Sequence, residues 1–430
     1  MQCMAFFVAS FYAFYYDNII VEKRGFMIKA CVVGLGKRGQ SLIKEVLLKN
    51  KDVQIVSVCD VYEDRVQIGL DLVKASYEQV KGYVNYKEAL HEGIDAVFVF
   101  SDWDTHTEIA LYAMKKGIAV ASEVGSEYTL ENCYELVRVQ EETGTPYMFM
   151  ENCCYGKEEL LATSMARKNM FGTIVHCSGC YAHDLRNEIG YGHVTRHYRF
   201  DNYKMRNCEN YPTHELGPIA KLLDINRGNR IMTVSSFASK SCGLKEYIQS
   251  REDATDEMRE TEFYQGDIVT TVLTCANGET IVIRLDTTLP RSYSRDFTVR
   301  GTKGLYMQDT NMVFFDGDEE SYDTVNYMKT NIDNAAKYEQ EFLPDIWKNI
   351  TEEAMLAGHG GMDWFVYKAF VDALINKDEM PIDVYDAATW QAVGVLSEMS
   401  IRQGGAPQAM PDFTNGKWFK RPRKDVVDFE

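Results

Sequence analysis

The sequence predicts an α/β architecture: an N-terminal doubly wound parallel sheet, then a C-terminal α+β domain with an open, largely antiparallel sheet. Three observations carry that expectation. Short apolar runs alternate with helix-like stretches up to about residue 150, and a glycine-rich turn follows the first of them. Beyond residue 151 the runs change to a two-residue alternation bounded by turn residues, and two long helical patterns return later in the chain.

The first strand is expected within 27–33, ahead of Gly34-Leu35-Gly36-Lys37-Arg38-Gly39, with a helix over 40–48. In that order Gly34 permits a tight turn, Gly36 lets backbone N–H groups approach a pyrophosphate, and Gly39 allows the helix to pack closely on the strand. The anion would rest on the helix N-terminus, where unpaired N–H groups and the helix dipole favour negative charge. The next strand, Val53–Cys59, ends in Asp60, at the separation expected of a carboxylate that binds a ribose hydroxyl. A carboxylate there repels a 2′-phosphate, so NAD rather than NADP is the expected cofactor. Strands at 96–100, 119–121 and 146–150, with helices at 107–116 and Leu130–Thr143, complete a Rossmann domain over 27–150.

Residues 151–430 form the expected substrate-binding domain. Segments 268–275 and 279–286 alternate apolar with polar residues and flank Asn277-Gly278, a pair suited to a type I′ hairpin turn. Another strand is expected at 297–300 and helices at 364–375 and 386–400. The last thirty residues, rich in Gly, Pro and Asn, read as an extended tail that packs onto the rest.

The net charge is −18, and the one basic patch lies at 417–424. Nucleic acid and anionic membrane surfaces are therefore excluded as partners, because both need a localised positive field. Eleven cysteines without framework spacing suit a reducing cytoplasm. Residues 1–26 form an N-terminal extension ahead of Met27, the expected natural start. Within it, 4–16 are apolar and aromatic, too short to span a bilayer and without the preceding Lys or Arg of a secretory signal, which leaves export open. Cys177-Ser178-Gly179-Cys180 has no second pair at zinc-ribbon spacing; these thiols and Cys153-Cys154 are expected to be buried, and no metal is expected. Serine-hydrolase elbows and zincin helices have no match in the chain.

Ser101-Asp102-Trp103-Asp104-Thr105-His106 and Glu123-Val124-Gly125 follow two of the expected strands, where the nicotinamide half of the cofactor belongs. Here the chain resembles the glucose-fructose oxidoreductase, inositol dehydrogenase and MocA superfamily, which has a His-containing turn and a Glu-Lys-Pro turn at these points. Val124 replaces that lysine. Asn210, in Asn210-Tyr211-Pro212-Thr213-His214, replaces the aspartate of the superfamily's Asp-x-x-x-His pair.

Longer motifs narrow the resemblance. Glu151-Asn152-Cys153-Cys154-Tyr155, Tyr181-Ala182-His183-Asp184-Leu185-Arg186, Tyr211-Pro212-Thr213-His214, Asp224-Ile225-Asn226-Arg227-Gly228-Asn229-Arg230, Gly358-His359-Gly360-Gly361-Met362-Asp363 and Pro411-Asp412-Phe413-Thr414-Asn415-Gly416-Lys417-Trp418 stand in that order. In them the chain resembles glycoside hydrolase family 109, NAD-dependent α-N-acetylgalactosaminidases, from about Met27 to Trp418. The resemblance implies a redox-neutral route. Hydride leaves C3 of the sugar for a tightly held NAD⁺, and the ketone so formed acidifies the C2 proton. A base removes that proton, the group on C1 is eliminated, water adds, and the hydride returns to C3. The paired carboxylates of common glycosidases are unnecessary on such a path.

The resemblance assigns roles to residues. Tyr181 and His214 are the implied catalytic pair, with the question of which takes which proton left open. Arg199, Tyr211 and Tyr293 are implied to bind the substrate, a small glycoside or the non-reducing end of a glycan. Beside Gly34, Gly36 and Gly39, the implied cofactor residues are Lys37, Arg38, Asp60, Trp103, His106, Glu123, Val124, Asn152 and Tyr211. Glu151 is read as an acid whose role is open, one possibility being to order a neighbouring arginine. His359 is either a loop residue chosen for backbone geometry or a contact of the site.

Two departures bear on the substrate. Glu215 follows His214 where the family has glycine, either to alter the histidine's charge state or to contact a sugar hydroxyl; and the segment 186–199 is short. Two rival functions remain at this stage: an NAD-dependent sugar dehydrogenase with net turnover, against which Val124 and Asn210 count, and a non-catalytic NAD or sugar sensor, against which Tyr181 with His214 counts. A homo-oligomer is expected, because an open sheet buries its exposed face.

Overall fold

A computed structural model describes residues 27–317 and 326–429; the extension at 1–26 lies outside them. The chain opens with β1 (Ile28–Val33), α1 (Lys37–Glu45), β2 (Val53–Cys59), α2 (Glu63–Lys74) and β3 (Lys81–Tyr83). It continues through β4 (Ala96–Val99), α3 (His106–Lys115), β5 (Ala119–Ser122), α4 (Leu130–Thr143) and β6 (Tyr147–Phe149). The six strands form one parallel sheet in the order β3-β2-β1-β4-β5-β6. Continuous apolar runs suit its central strands, since helices cover both faces of such a sheet. Strand order reverses between β1 and β4, which opens a crevice at their carboxyl ends. α1 starts at Lys37, three residues before the expected position, so Lys37, Arg38 and Gly39 are its first turn.

The second region contains α5 (Lys157–Arg167), β7 (Ile174–Ala182), α6 (Arg199–Met205), α7 (Thr213–Leu222), β8 (Ile231–Ala238), β9 (Ile268–Cys275) and β10 (Thr280–Asp286). After these come β11 (Thr298–Gly301), β12 (Gly304–Met307), β13 (Met312–Phe315), α8 (Met362–Asn376), α9 (Val384–Arg402) and β14 (Gln408–Ala409). Eight strands pair in the order β13-β12-β11-β7-β10-β9-β8-β14. The β7–β10 pair is parallel and the other neighbours are antiparallel, so the sheet is mixed.

The β9–β10 hairpin corrects one turn assignment. Gly278 has φ +99° while Asn277 does not enter the left-handed region. Gly278 N donates to Cys275 O at 3.1 Å and Cys275 N to Glu279 O at 2.9 Å. That is a three-residue loop closed by a left-handed glycine rather than a type I′ turn. Asn277 is held from outside the hairpin: its N–H donates to Asn229 Oδ1 at 3.2 Å and its Nδ2 to Gly228 O at 3.2 Å.

α7 packs on the inner face of β7, and α9 packs on β8, α4 and β6, so it joins the two sheets; Trp390 on α9 is fully buried. The C-terminal tail packs as expected: β14 pairs with β8, Arg423 meets Asp224 at 2.8 Å, and Asp425 meets Arg167 at 2.7 Å. Every cysteine of the described residues is free, and Cys177 and Cys180 are buried. No helix among the described residues is long and apolar enough to cross a membrane.

Candidate active site

The glycine turn divides its labour as a pyrophosphate site requires. A side chain on Gly34 would fall 2.3 Å from the Phe100 carbonyl carbon, and one on Gly39 would fall 2.2 Å from Gly34 O. On Gly36 it would meet only the Arg65 guanidinium at 3.8 Å, so the second glycine leaves an open cradle at the start of α1. Asp60 accepts from Leu35 N at 2.7 Å and from Tyr62 N at 3.0 Å, which holds its carboxylate against the glycine turn. These residues fit NAD, with the pyrophosphate on α1 and a ribose at Asp60. Lys37 is exposed at the head of the helix.

Arg38 is committed to a network of buried acids. Its Nη1 and Nη2 grip Asp363 Oδ2 and Oδ1 at 2.6 and 2.9 Å, and Nη2 reaches Glu123 Oε1 at 3.2 Å. Tyr367 OH donates to the same Glu123 oxygen at 2.7 Å, and Asn152 Nδ2 donates to Asp363 Oδ1 at 2.7 Å. His359 joins through Nδ1 to Asp363 Oδ2 at 2.9 Å. Burial works to raise the Asp363 carboxyl, but Arg38 and His359 outweigh it and hold the group well below the usual carboxylate range. Asp363 and Tyr367 are thus working members of this cluster that sequence reasoning did not select, although Asp363 ends a quoted motif.

His106 is buried, with Nε2 2.9 Å from Ser101 O and Nδ1 unpartnered. Burial lowers its affinity for a second proton. Val124 is buried beside Gly125, where an added side chain would fall 2.4 Å from Trp103 Cδ1; the missing side chain lets the indole pack on the turn.

From Trp103 a chain of rings leads into the second region. Tyr211 stacks on the indole, centroids 5.3 Å apart; Tyr181 lies 4.7 Å from Tyr211, and His214 lies 5.3 Å from Tyr181 and 4.8 Å from Tyr211. The Arg199 guanidinium sits 5.2 Å from the Trp103 ring and 5.0 Å from that of Tyr211, a cation–π cage. Its nearest carboxylate is Glu188 at 3.5 Å, and its Nε is buried without a partner.

His214, on the first turn of α7, is fixed by Glu151. Nδ1 lies 2.8 Å from Glu151 Oε1, which also accepts from Cys153 N at 3.0 Å. Burial pushes the Glu151 carboxyl up, but His214, Thr213 and the Cys153 amide more than reverse this and leave it below its ordinary value. An ionised Glu151 accepts from Nδ1–H, which turns Nε2 towards Tyr211 OH, 3.5 Å away. Glu151 therefore orders a histidine, not an arginine. Sequence spacing gives no link between positions 151 and 214.

Burial raises the Tyr181 phenol against the opposing pull of Arg199, so it stays protonated at neutral pH; its OH lies 3.4 Å from His183 Nδ1. His183 also passed unselected. Its ring lies 5.2 Å from that of Tyr293, which is 46% exposed at the outer end of the ring series. Arg295 Nη1 donates to Tyr293 OH at 3.4 Å, and its Nε is held by Glu159 at 2.6 Å.

Glu215 turns towards Glu209. All its carboxyl oxygens and those of Glu209 are buried, and the two side chains face one another. Burial pushes Glu209 up to about 8 and Glu215 well above its ordinary value, so the pair carries protons at neutral pH. Glu151, Cys153 and His214 are the described residues whose potential metal-ligating atoms cluster, within 4.8 Å; the direct His214–Glu151 contact occupies two of them.

Residues 28–150 match the oxidoreductase family, NAD-binding Rossmann fold, and residues 155–420 match the glycosyl hydrolase 109 C-terminal domain. The chain belongs to glycoside hydrolase family 109. It is 38% identical over 433 residues to a family 109 protein of Stenotrophomonas maltophilia, covering 95% of this chain and 93% of the relative. It is 36% identical to an alpha-N-acetylgalactosaminidase of Tannerella forsythia, covering 92% and 88%. Its fold is similar to that of scyllo-inositol dehydrogenase from Lactobacillus casei with bound NAD(H) and scyllo-inositol, at TM-score 0.62 and 14% identity, covering 89% and 99%. The family 109 chain thus pairs an NAD-binding Rossmann domain with a glycoside hydrolase domain, and the second of these carries the ring series beyond Trp103.

Proposed function

We propose that this protein is a redox-neutral glycosidase acting on α-linked N-acetylgalactosamine or a related hexoside, with NAD recycled inside each turnover. The supporting observation is the Glu151–His214 pair, whose Nε2 faces Tyr211 and Tyr181 in a ring series that begins on Trp103 of the NAD-binding domain. Relatives from Tannerella forsythia and Shewanella oneidensis, both named as alpha-N-acetylgalactosaminidases, agree with the sugar.

When bound, NAD supplies reversible acceptance of a hydride from C3 of the sugar. Tyr181 receives the proton of the C3 hydroxyl as it passes its own to His183 Nδ1, and then donates to the ketone oxygen. His214 Nε2 takes the proton from C2, while Glu151 stabilises the imidazolium so formed. The C1 group leaves with the proton that His214 took from C2, water adds at C1 and gives a proton to His214, which delivers it to C2, and the proton of O3 returns through Tyr181. Arg199 offers donors to a hydroxyl or acyl oxygen of the ring, and Tyr293 meets the group on C1. Lys37, Arg38, His106, Glu123, Val124 and Asn152 complete the cofactor wall, with Tyr211 between cofactor and sugar. A homo-oligomer belongs to this reading, formed by isologous contact of the sheet face that presents half-buried Thr270, Val272, Thr280 and Val282.

The test uses an aryl α-N-acetylgalactosaminide carrying deuterium at C2. Release of phenol without accumulating NADH, with the label lost to water, is the expected result. Steady NADH formation would establish a dehydrogenase instead, and label retained in the product would exclude elimination.

A further inference from the structure

The short segment that links β7 to α6 crosses between the two domains beside the cofactor groove. At one end Arg196 grips Asp64 with two hydrogen bonds, at 2.6 and 3.1 Å, and lies 4.3 Å over the Tyr62 ring. Arg65 donates from Nη2 to Thr195 O and Arg196 O, both at 3.2 Å, while its Nη1 lies 3.9 Å from Asp60 Oδ2 and next to Gly36. Two residues further on, Tyr198 packs on Trp103 at 4.8 Å, and Arg199 follows on the same indole. Residues 195–199 therefore touch both the ribose acid's neighbourhood and the nicotinamide-side tryptophan. Five residues can span at most about 16–18 Å. Arg196 adopts the left-handed region at φ +57°, which a non-glycine residue holds only when its surroundings enforce it.

We infer that Thr195–Arg199 is a strap that closes the cofactor groove and makes NAD a resident group, with Arg65, Asp64 and Tyr62 as its anchor at the ribose end. A dehydrogenase must exchange its cofactor at every turnover, whereas an enzyme that returns its borrowed hydride loses activity whenever reduced cofactor escapes. The strap supplies that retention without a covalent tether. The inference deepens the recycling reading but depends only on NAD in the groove, so its test contains no sugar.

Protein loaded with NAD⁺ is freed of excess nucleotide, and release is followed as NADH made by added alcohol dehydrogenase with ethanol. Arg196→Glu and Arg65→Ala are each expected to speed release about tenfold, with melting temperatures near that of the parent. The double variant Asp64→Arg/Arg196→Glu restores slow release by reversing the pair. In the parent, 1 M salt quickens release several-fold, since exposed charges are screened within about 3 Å at that strength. Release at the parent rate from both folded single variants would overturn the strap. So would rapid release from the parent at low salt; and should Arg196→Glu not fold, Arg65→Ala and the salt series decide alone. Failure here leaves phenol release intact, whereas failure of the hydrolase reading leaves slow NAD release intact.

Discussion

The cofactor half and the sugar half of the groove are built in opposite ways. The phosphate and ribose positions come from one stretch, Gly34 to Asp60, folded as strand, turn, helix and strand. The proposed sugar half gathers Glu151, Tyr181, His183, Arg199, Tyr211 and His214 from separate segments, with His214 fixed by Glu151 from 63 residues away. Yet each half rests on a buried carboxylate gripping one key side chain: Asp363 holds Arg38 in the first, and Glu151 holds His214 in the second. The former fixes a residue of the cofactor wall, the latter the proposed base. In the proposed reaction the same device would serve affinity in one place and proton transfer in the other.

That contrast can be broken most forcefully at the base. His214→Ala is expected to lower kcat on the order of 10³-fold, the usual yield of a positioned acid–base group, with NAD content unchanged. Glu151→Gln keeps an acceptor for Nδ1–H but removes the charge that stabilises the imidazolium, so a loss of roughly 10–100-fold in kcat at nearly constant KM is expected. Loss of NAD from Glu151→Gln with kcat intact would place Glu151 in the wrong half.

Asp363→Asn tests the other carboxylate. Breaking a buried ion pair costs about 3–5 kcal/mol, and an isosteric amide that still accepts from Asn152 should cost about 2–3. The carboxyl is held below its ordinary value, so its contribution is present above an unfolded pKa of about 4 and is lost as pH falls through the folded value. The melting deficit of Asp363→Asn should therefore be full at pH 7 and shrink towards pH 3. A deficit independent of pH would mean that packing, not charge, is what Asp363 supplies.

The same contrast governs what could be read from the sequence. Val53–Cys59 and Leu130–Thr143 are legible to the residue, because apolar runs and the Gly144 stop are local facts. Tyr181 and His214 came into view through motifs, and the structure brings them together. Glu151 and Asp363 stood inside quoted motifs without a role, because their importance lies in partners 63 and 325 residues away. Nothing periodic connects such positions. The role of Glu215 stayed open for a related reason: adjacency to His214 on a helix sends the two side chains in different directions, one to the ring series and the other to Glu209. Asn277 was misassigned because a hairpin turn was judged from its dipeptide alone, whereas Gly228 and Asn229 constrain it from another loop.

The smallest expected effect lies beneath the sugar half, at the paired acids. Glu209 binds its proton up to about pH 8 when folded, against roughly 4.3 when unfolded. Between those values the folded chain holds more protons than the unfolded one, so this group makes stability fall as pH rises through the window. Glu209→Gln removes the titration and leaves a neutral amide beside the Glu215 carboxyl. It should match the parent at pH 5 and exceed it by about 1–2 kcal/mol at pH 8, far less than the full linkage because burying an amide has its own cost. Melting followed at both values, with activity on the aryl glycoside as a control, checks this. Equal gains at pH 5 and pH 8 would mean that Glu209 holds no extra proton when folded, and a large loss of kcat would draw Glu209 into the proton traffic of His214 and erase the boundary between support and site.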